Sequence, residues 1–288
     1  MLKRCPAFAA LLLAACQPAP EPANPALWRV DGPHGQRAWL FGTIHTLARP
    51  AHWQTATVTD ALTHADRLIV EVAALNDTAA TAKVFAQLAR TPGQPPLSQR
   101  LPPEDRPALA RLLATAHAAD TDFAQTETWA AAITLANSAE GEAGAHPEWG
   151  IDRQIITAAN GKPVEEFEGA ARQLATFDRL PESAQRRLLH AAVADAGHAA
   201  AQAAELAAAW RTGDVARIGR ETTSGMLLDP TLREALYAAR NRAWLTQLAA
   251  TMARGSHPFV AVGAAHLAGP DGLPSLFTQQ GYTVTRVE

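Results

Sequence analysis

Phe259-Val-Ala-Val-Gly263-Ala-Ala-His266-Leu-Ala-Gly-Pro-Asp-Gly272 is the stretch whose reading decides the fold. Four apolar residues run directly into a Gly-x-x-His. A run this short and this apolar reads as a strand buried on both faces. Gly263 lets the backbone approach another group closely, and His266 falls where the strand stops. The same order of residues occurs upstream, in Ala38-Trp-Leu-Phe-Gly42-Thr-Ile-His45. Either histidine alone is a weak signal, since a histidine after a strand is usually a packed or capping residue. Two of them, each closing an apolar strand, point to a site.

Working outward, Leu27-Trp-Arg-Val30 pairs with the Ala38 strand in a hairpin, turned at Asp31-Gly-Pro-His34-Gly35, with His34 exposed and inert. Thr55 to Ala65 carries Val58, Ala61 and Leu62 at helical spacing. Arg67-Leu-Ile-Val-Glu71-Val72 is a further buried strand. Strand, helix and strand in succession predict a βαβ unit with a right-handed crossover, which sets His45 and Glu71 at one edge of neighbouring parallel strands. Residues 74–148 predict an alanine-rich helical insertion covering the sheet. Ile151 to Asn160 is a helix stopped at Asn160-Gly161. Lys162-Pro-Val-Glu-Glu-Phe-Glu168 is a short strand ending in a carboxylate.

Residues 170–254 return to helices. Ala191 to Trp210 reads as continuous helix, with His190 and His198 on its surface, and Leu232 to Met252 as a long helix carrying Arg240. Leu273 to Gln280 is helical, and Tyr282 to Val287 alternates like an edge strand. The expected fold class is α/β: a central mixed, largely parallel β-sheet flanked by helices, with a large alanine-rich helical insertion.

The first residues carry an address. Lys3 and Arg4 precede an apolar run from Ala7 to Ala15, too short to span a bilayer. Leu13-Ala-Ala-Cys16 resembles a bacterial lipobox, and Gln17 stands where an aspartate often marks inner-membrane retention. The expected organisation is a lipoprotein signal peptide over residues 1–15, a proline-rich tether over 16–26, extended rather than packed, and one domain over 27–288. Lipid on Cys16 would hold the protein at the periplasmic face of the outer membrane, with no membrane anchor at the C-terminal end. The only cysteines, Cys5 and Cys16, lie in or at the end of this leader, so the mature domain lacks a disulfide, a thiol nucleophile and a cysteine metal ligand. A net charge of −3 gives no electrostatic basis for binding nucleic acid.

His45, Glu71, Glu168 and His266 all end strands. In open sheets with helical crossovers, ligands bind beyond the carboxyl ends of the strands, which collects all four in one cleft. Two imidazoles with one or two carboxylates suit a divalent ion such as Mn, Co or Zn. The expected ligands are His45, Glu71 and His266, with Glu168 behind them or as a fourth. Binding requires neutral imidazoles and should weaken below about pH 6.5. A metal-free alternative uses His45 as general base on water, oriented by Glu71. Arg240 either binds a substrate carboxylate or oxyanion or forms an ion pair with Glu71 or Glu168. Gly-x-Ser-x-Gly, His-Glu-x-x-His and the phosphate-loop and dinucleotide signatures are absent.

Taken in order, Leu27-Trp-Arg-Val, Phe41-Gly-Thr-Ile-His45, Leu68-Ile-Val-Glu71, Gly150-Ile-Asp152, Pro163-Val-Glu-Glu-Phe-Glu168, Arg240-Asn-Arg-Ala-Trp244 and Val262-Gly-Ala-Ala-His266 to Leu273 resemble the TraB/GumN family. That family includes the Tiki metalloproteases and is distantly related to erythromycin esterases and ChaN-like haem-binding lipoproteins. The resemblance implies a metal-dependent hydrolase acting on peptide bonds through His45, Glu71 and His266, with Glu168 and Arg240 nearby. It also leaves open a non-catalytic lipoprotein that binds a peptide or haem.

Overall fold

Residues 18–288 are described by a computed structural model. The expected signal peptide and Cys16 lie outside the described residues. The strands are β1 (Glu21–Pro22), β2 (Leu27–Asp31), β3 (Arg37–Thr43), β4 (Ala51–His52), β5 (Arg67–Val70), β6 (Val164–Glu166), β7 (Pro258–Gly263) and β8 (Thr283–Arg286). The helices are α1 (Ala56–His64), α2 (Thr78–Leu88), α3 (Arg106–Thr115), α4 (Thr128–Glu142), α5 (Ile151–Ala158) and α6 (Gly169–Asp178). They continue as α7 (Glu182–Asp195), α8 (Ala199–Arg211), α9 (Val215–Glu221), α10 (Pro230–Arg233), α11 (Ala239–Ala253) and α12 (Leu273–Gln279).

Six strands form one sheet in the order β6-β5-β7-β3-β2-β8. β6, β5, β7 and β3 are mutually parallel, while β2 runs against both β3 and β8. The fold is therefore α/β with a mixed, mostly parallel sheet. β3 and β5 are not neighbours, contrary to the βαβ expectation, because β7 lies between them with Leu40 opposite Val260 and Ile69 also opposite Val260. A strand buried along both faces is most stable inside a sheet, and β7, buried from Pro258 to Val262, has that composition.

Successive side chains of β7 serve different cores, as the pleat requires. Phe259 and Ala261 join Phe41, Leu68 and Val70 on one face, under α1, α5 and Trp210 of α8. Val260 and Val262 join Leu40 and Ile69 on the other, under Trp244 and Leu248 of α11 and Phe277 of α12. The sheet is thus covered by these helices, not by the alanine-rich insertion. Insertion residues Leu109, Leu112, Trp129 and Leu135 build a third cluster with Leu188 and Leu189 of α7. Alanine-rich helices bury little area each, so they stack on one another to form a core of their own.

Three further expectations change. Residues 21–26 of the tether are docked: β1 pairs with β4, Asn24 N–H donates to Arg211 O at 2.7 Å, and Ala23 and Ala26 are buried. Extended proline-rich chain suits an edge strand, which explains the docking. The helix expected over Ala191 to Trp210 is broken by a 3-10 turn at Ala196–His198, where Gly197 sits, so His190 and His198 do not share a helix. The helix from Leu232 contains a π-turn at Glu234–Ala238, immediately before Arg240.

Candidate functional site

The carboxyl ends of β6, β5, β7 and β3 lie side by side, and they present Glu168, Glu71, His266 and His45 in that order. The two Gly-x-x-His segments interlock. An added Cβ on Gly42 would sit 3.0 Å from Ala264 Cβ, so the absence of a side chain lets the turn after β7 rest on β3. Gly263 lies beneath the site. A Cβ there would stand 3.4 Å from Glu71 Oε1, 3.8 Å from His266 Cδ2 and 3.8 Å from His45 Nε2. Three of the expected residues therefore converge over one glycine.

Glu71 is 8% exposed. Its Oε1 accepts from Gly263 N–H at 2.8 Å, and its Oε2 accepts from Arg240 Nη2 at 2.7 Å and from Gln173 Nε2 at 3.1 Å. Burial works against the anion, but the Arg240 and His45 charges and the Gly263 amide outweigh it and hold the carboxyl below the usual range. Arg240 also donates from Nε and Nη2 to the two Glu168 oxygens at 2.9 and 2.8 Å. It thus takes the ion-pair alternative, and with both carboxylates at once. Trp244, one turn on, donates to Glu168 Oε1 at 3.1 Å and lies under the guanidinium, 4.7 Å from its ring centre.

His266 is fixed through Nδ1, which donates to Asn241 Oδ1 at 2.6 Å, while Asn241 Nδ2 donates to Asp271 O at 2.8 Å. Burial keeps this imidazole neutral by pulling its pKa well below normal. Its Nε2 is left as an acceptor facing Arg240 Nη1 at 3.2 Å.

His45 differs. Its side chain is 71% exposed, and its Nδ1 lies 2.6 Å from Asp152 Oδ2. Asp152 Oδ1 also accepts from the Thr43 hydroxyl. The Asp152 charge raises the His45 pKa, with smaller help from Glu71 and Glu140, so the ring rests protonated at neutral pH. Gly150 explains how α5 reaches it. A Cβ at Gly150 would overlap His45 O at 2.0 Å, and Ile151 N–H donates to Ile44 O at 2.8 Å, which seats the helix start against the end of β3. His45 Nε2 borders a cleft of about 410 Å³ with Glu71, Leu75, Glu140, Arg153 and Gln173 among its walls.

The structure therefore brings Glu71, Glu168, Arg240 and His266 into one bonded cluster and sets His45 beside it on a separate partner. Asp152, Asn241 and Trp244 carry no sequence signal of their own, although each stands in a segment that carries the family resemblance. Gln173 had no signal beyond helical context. His34 is exposed, and His190 pairs with Asp105 at 2.6 Å, far in sequence from these strand ends.

The donor set suits a divalent ion in its chemistry. Both histidines are held through Nδ1 by an oxygen acceptor, the usual support for a ring that ligates through Nε2, and Glu71 is ionised beside them. Among the described residues, no three His, Cys, Asp or Glu side chains as they stand enclose an ion position. Arg240 meanwhile donates to both His266 Nε2 and Glu71 Oε2.

Comparison with known proteins agrees with the motifs. The chain is 28% identical over 250 residues to "Uncharacterized protein YbaP" of Shigella flexneri, covering 85% of this chain and 89% of that one. The protein of the same name in Escherichia coli (strain K12) gives the same identity and coverage. No solved structure matches. The profile of the TraB/PrgY/gumN family matches residues 26–286, nearly all of the described chain, and the protein belongs to that family.

Proposed function

We propose that the protein is a hydrolase of the bacterial cell envelope that cleaves peptide bonds at His45, Glu71 and His266. It would be anchored by lipid on Cys16 and held at the periplasmic face of the outer membrane. The observation that carries this reading is the His45–Asp152 pair, with the far ring nitrogen on an open cleft beside an ionised glutamate. An imidazole oriented by a buried carboxylate is the arrangement that proton transfer during hydrolysis needs.

His45, Glu71 and His266 would hold a divalent ion. When bound, such an ion supplies Lewis-acid polarisation of a carbonyl and a more acidic water. The chain's own residues do the rest. Asp152 accepts from Nδ1–H of the His45 ring and so fixes its orientation, leaving Nε2 as the nitrogen that would bind. Asn241 fixes the His266 tautomer, leaving Nε2 as the lone pair. Arg240 holds Glu71 and Glu168 in place through two ion pairs in a buried setting. Gln173 orients the second Glu71 oxygen.

One observation favours a metal-free version: Arg240 already supplies a cation next to Glu71 and His266. Neutral His45 would then take a proton from water as it adds to the peptide carbonyl. The ring would return that proton to the amine as the C–N bond breaks. Incubation of the purified protein with a peptide library, with and without Mn²⁺, Co²⁺ or Zn²⁺, tests both. Cleavage only with ion supports the metal reading, and cleavage in chelator supports the metal-free one. Ligand retention without products overturns the hydrolase in favour of a binding protein.

A further inference from the structure

The cleft beside His45 is lined by two charged side chains that form no ion pair among the described residues. Glu71 and Asp152 are engaged, one by Arg240 and the Gly263 amide, the other by His45 and Thr43. Glu140 and Arg153 are not. Among the described residues, no Lys, Arg or His lies within ion-pair distance of Glu140, and no Asp or Glu within that distance of Arg153. Both nevertheless line the same cavity of about 410 Å³.

Each is placed there by its helix. On α4, Ala132, Leu135 and Ala139 are buried in the insertion core, which leaves Asn137 and Glu140, three positions apart, on the cleft side. On α5, Ile151 and Ile155 are buried, which turns Arg153 outward. Arg153 Nη1 is steadied by the Leu75 carbonyl, with Asn76 Oδ1 at 3.4 Å, so the guanidinium is held at the rim while its other donors stay unused. Arg153 also lines an adjoining cleft of about 480 Å³ with Asn76 and Thr157. Val70, Val72 and Leu75 give the first cavity an apolar part of its wall.

We infer that this cleft binds a short peptide with both ends free, its ammonium group on Glu140 and its carboxylate on Arg153. This specifies the substrate class of the hydrolase proposed above and rests on that reading for turnover, though not for binding. An unpaired anion and an unpaired cation facing one cavity match a zwitterionic ligand better than a ligand of one sign. Glu140 and Arg153 do not pair with each other, and an extended dipeptide, about 7 Å long, carries the complementary charge at each end. A guanidinium suits a carboxylate because it can donate two parallel N–H bonds. Fixed charges of both signs also reject capped or internal peptide segments, which would leave Glu140 or Arg153 desolvated without a partner.

The test is calorimetric binding to the full chain of three probes: alanyl-alanine, its N-acetyl derivative and its C-terminal amide. The free dipeptide should bind about tenfold or more tightly than either capped form. Glu140→Gln should abolish the penalty for N-acetylation and leave the penalty for the amide. Arg153→Gln should do the reverse. A purely structural role for either residue would weaken all three probes together. Equal affinity for the three, no binding of any, or uniform weakening in both variants overturns the inference. If one variant fails to fold, as judged by its melting curve, the wild-type comparison and the other variant still decide. Preferential binding of the free dipeptide without cleavage leaves this inference standing and removes the hydrolase. Cleavage of capped and free peptides alike does the opposite.

Discussion

His45 Nδ1 and Asp152 Oδ2 stand 2.6 Å apart across more than a hundred residues of sequence, joined because the start of α5 rests on the end of β3. This contact fixes which nitrogen of His45 faces the cleft, and it makes the ring a stronger base than a free imidazole.

The pH profile should reflect it. Because Asp152 raises the His45 pKa from 6.5 to about 10, loss of the ring proton, needed for metal ligation or for base catalysis, should be centred above 6.5. Activity should therefore still be rising with pH above neutrality. Asp152→Asn should bring the midpoint back toward 6.5 and lower kcat by roughly 10–100-fold, the usual cost of losing a histidine's supporting carboxylate. Folding stability runs the other way. The pair's contribution is full below pH 6.5 and is lost as pH rises through the folded value. Rate profiles and denaturant melts across pH 5–10 check both.

Arg240→Met should be strongly destabilising. It leaves Glu71 and Glu168, each with a side chain at most 13% exposed, without their cation. Removal of one partner from a buried ion pair costs about 3–5 kcal/mol. Urea unfolding at pH 7 measures it, and the loss should shrink in acid. The folded-state pKa of Glu71 is lowered from 4.5 to about 2, so its contribution is present above 4.5 and disappears as pH falls toward 2.

Gly263→Ala separates fold from function. The backbone there, φ −48 and ψ 131, accepts alanine, and the new methyl would make ordinary contacts of 3.4–3.8 Å. Its position is the space on which Glu71, His45 and His266 converge. The melting temperature should move by only a few degrees, while metal uptake and turnover fall at least tenfold. Gly42→Ala is the contrast, since its methyl would lie 3.0 Å from Ala264 Cβ and should destabilise the strand ends directly.

Metal content should follow the histidines. His45→Ala and His266→Ala should each lose a bound divalent ion that the wild type retains, measured by mass spectrometry after dialysis. Both should keep the wild-type circular dichroism, because Phe41, Val260 and Val262 carry the core around them. Equal occupancy in all three proteins would place the ion elsewhere.

Cys16→Ser should abolish the processed, membrane-bound form. Fractionation of cells and the mass of the mature protein read this out, and unchanged membrane association would remove the lipoprotein assignment.

Local pattern was enough to determine the strands at Leu27, Ala38, Arg67 and Phe259, the helices α1, α5 and α12, and the histidines or glutamates that end the strands. Each rests on periodicity or composition within a few residues, where backbone sterics and side-chain alternation act directly. Tertiary structure alone decided that β7 separates β3 from β5. It also decided that Asp152 serves His45, that Arg240 closes on Glu71 and Glu168, and that residues 21–26 dock against β4, the end of α8 and β3. Those outcomes depend on which distant surfaces bury the most apolar area and which buried charges must find a partner. Both are properties of the packed chain that no short window of sequence contains.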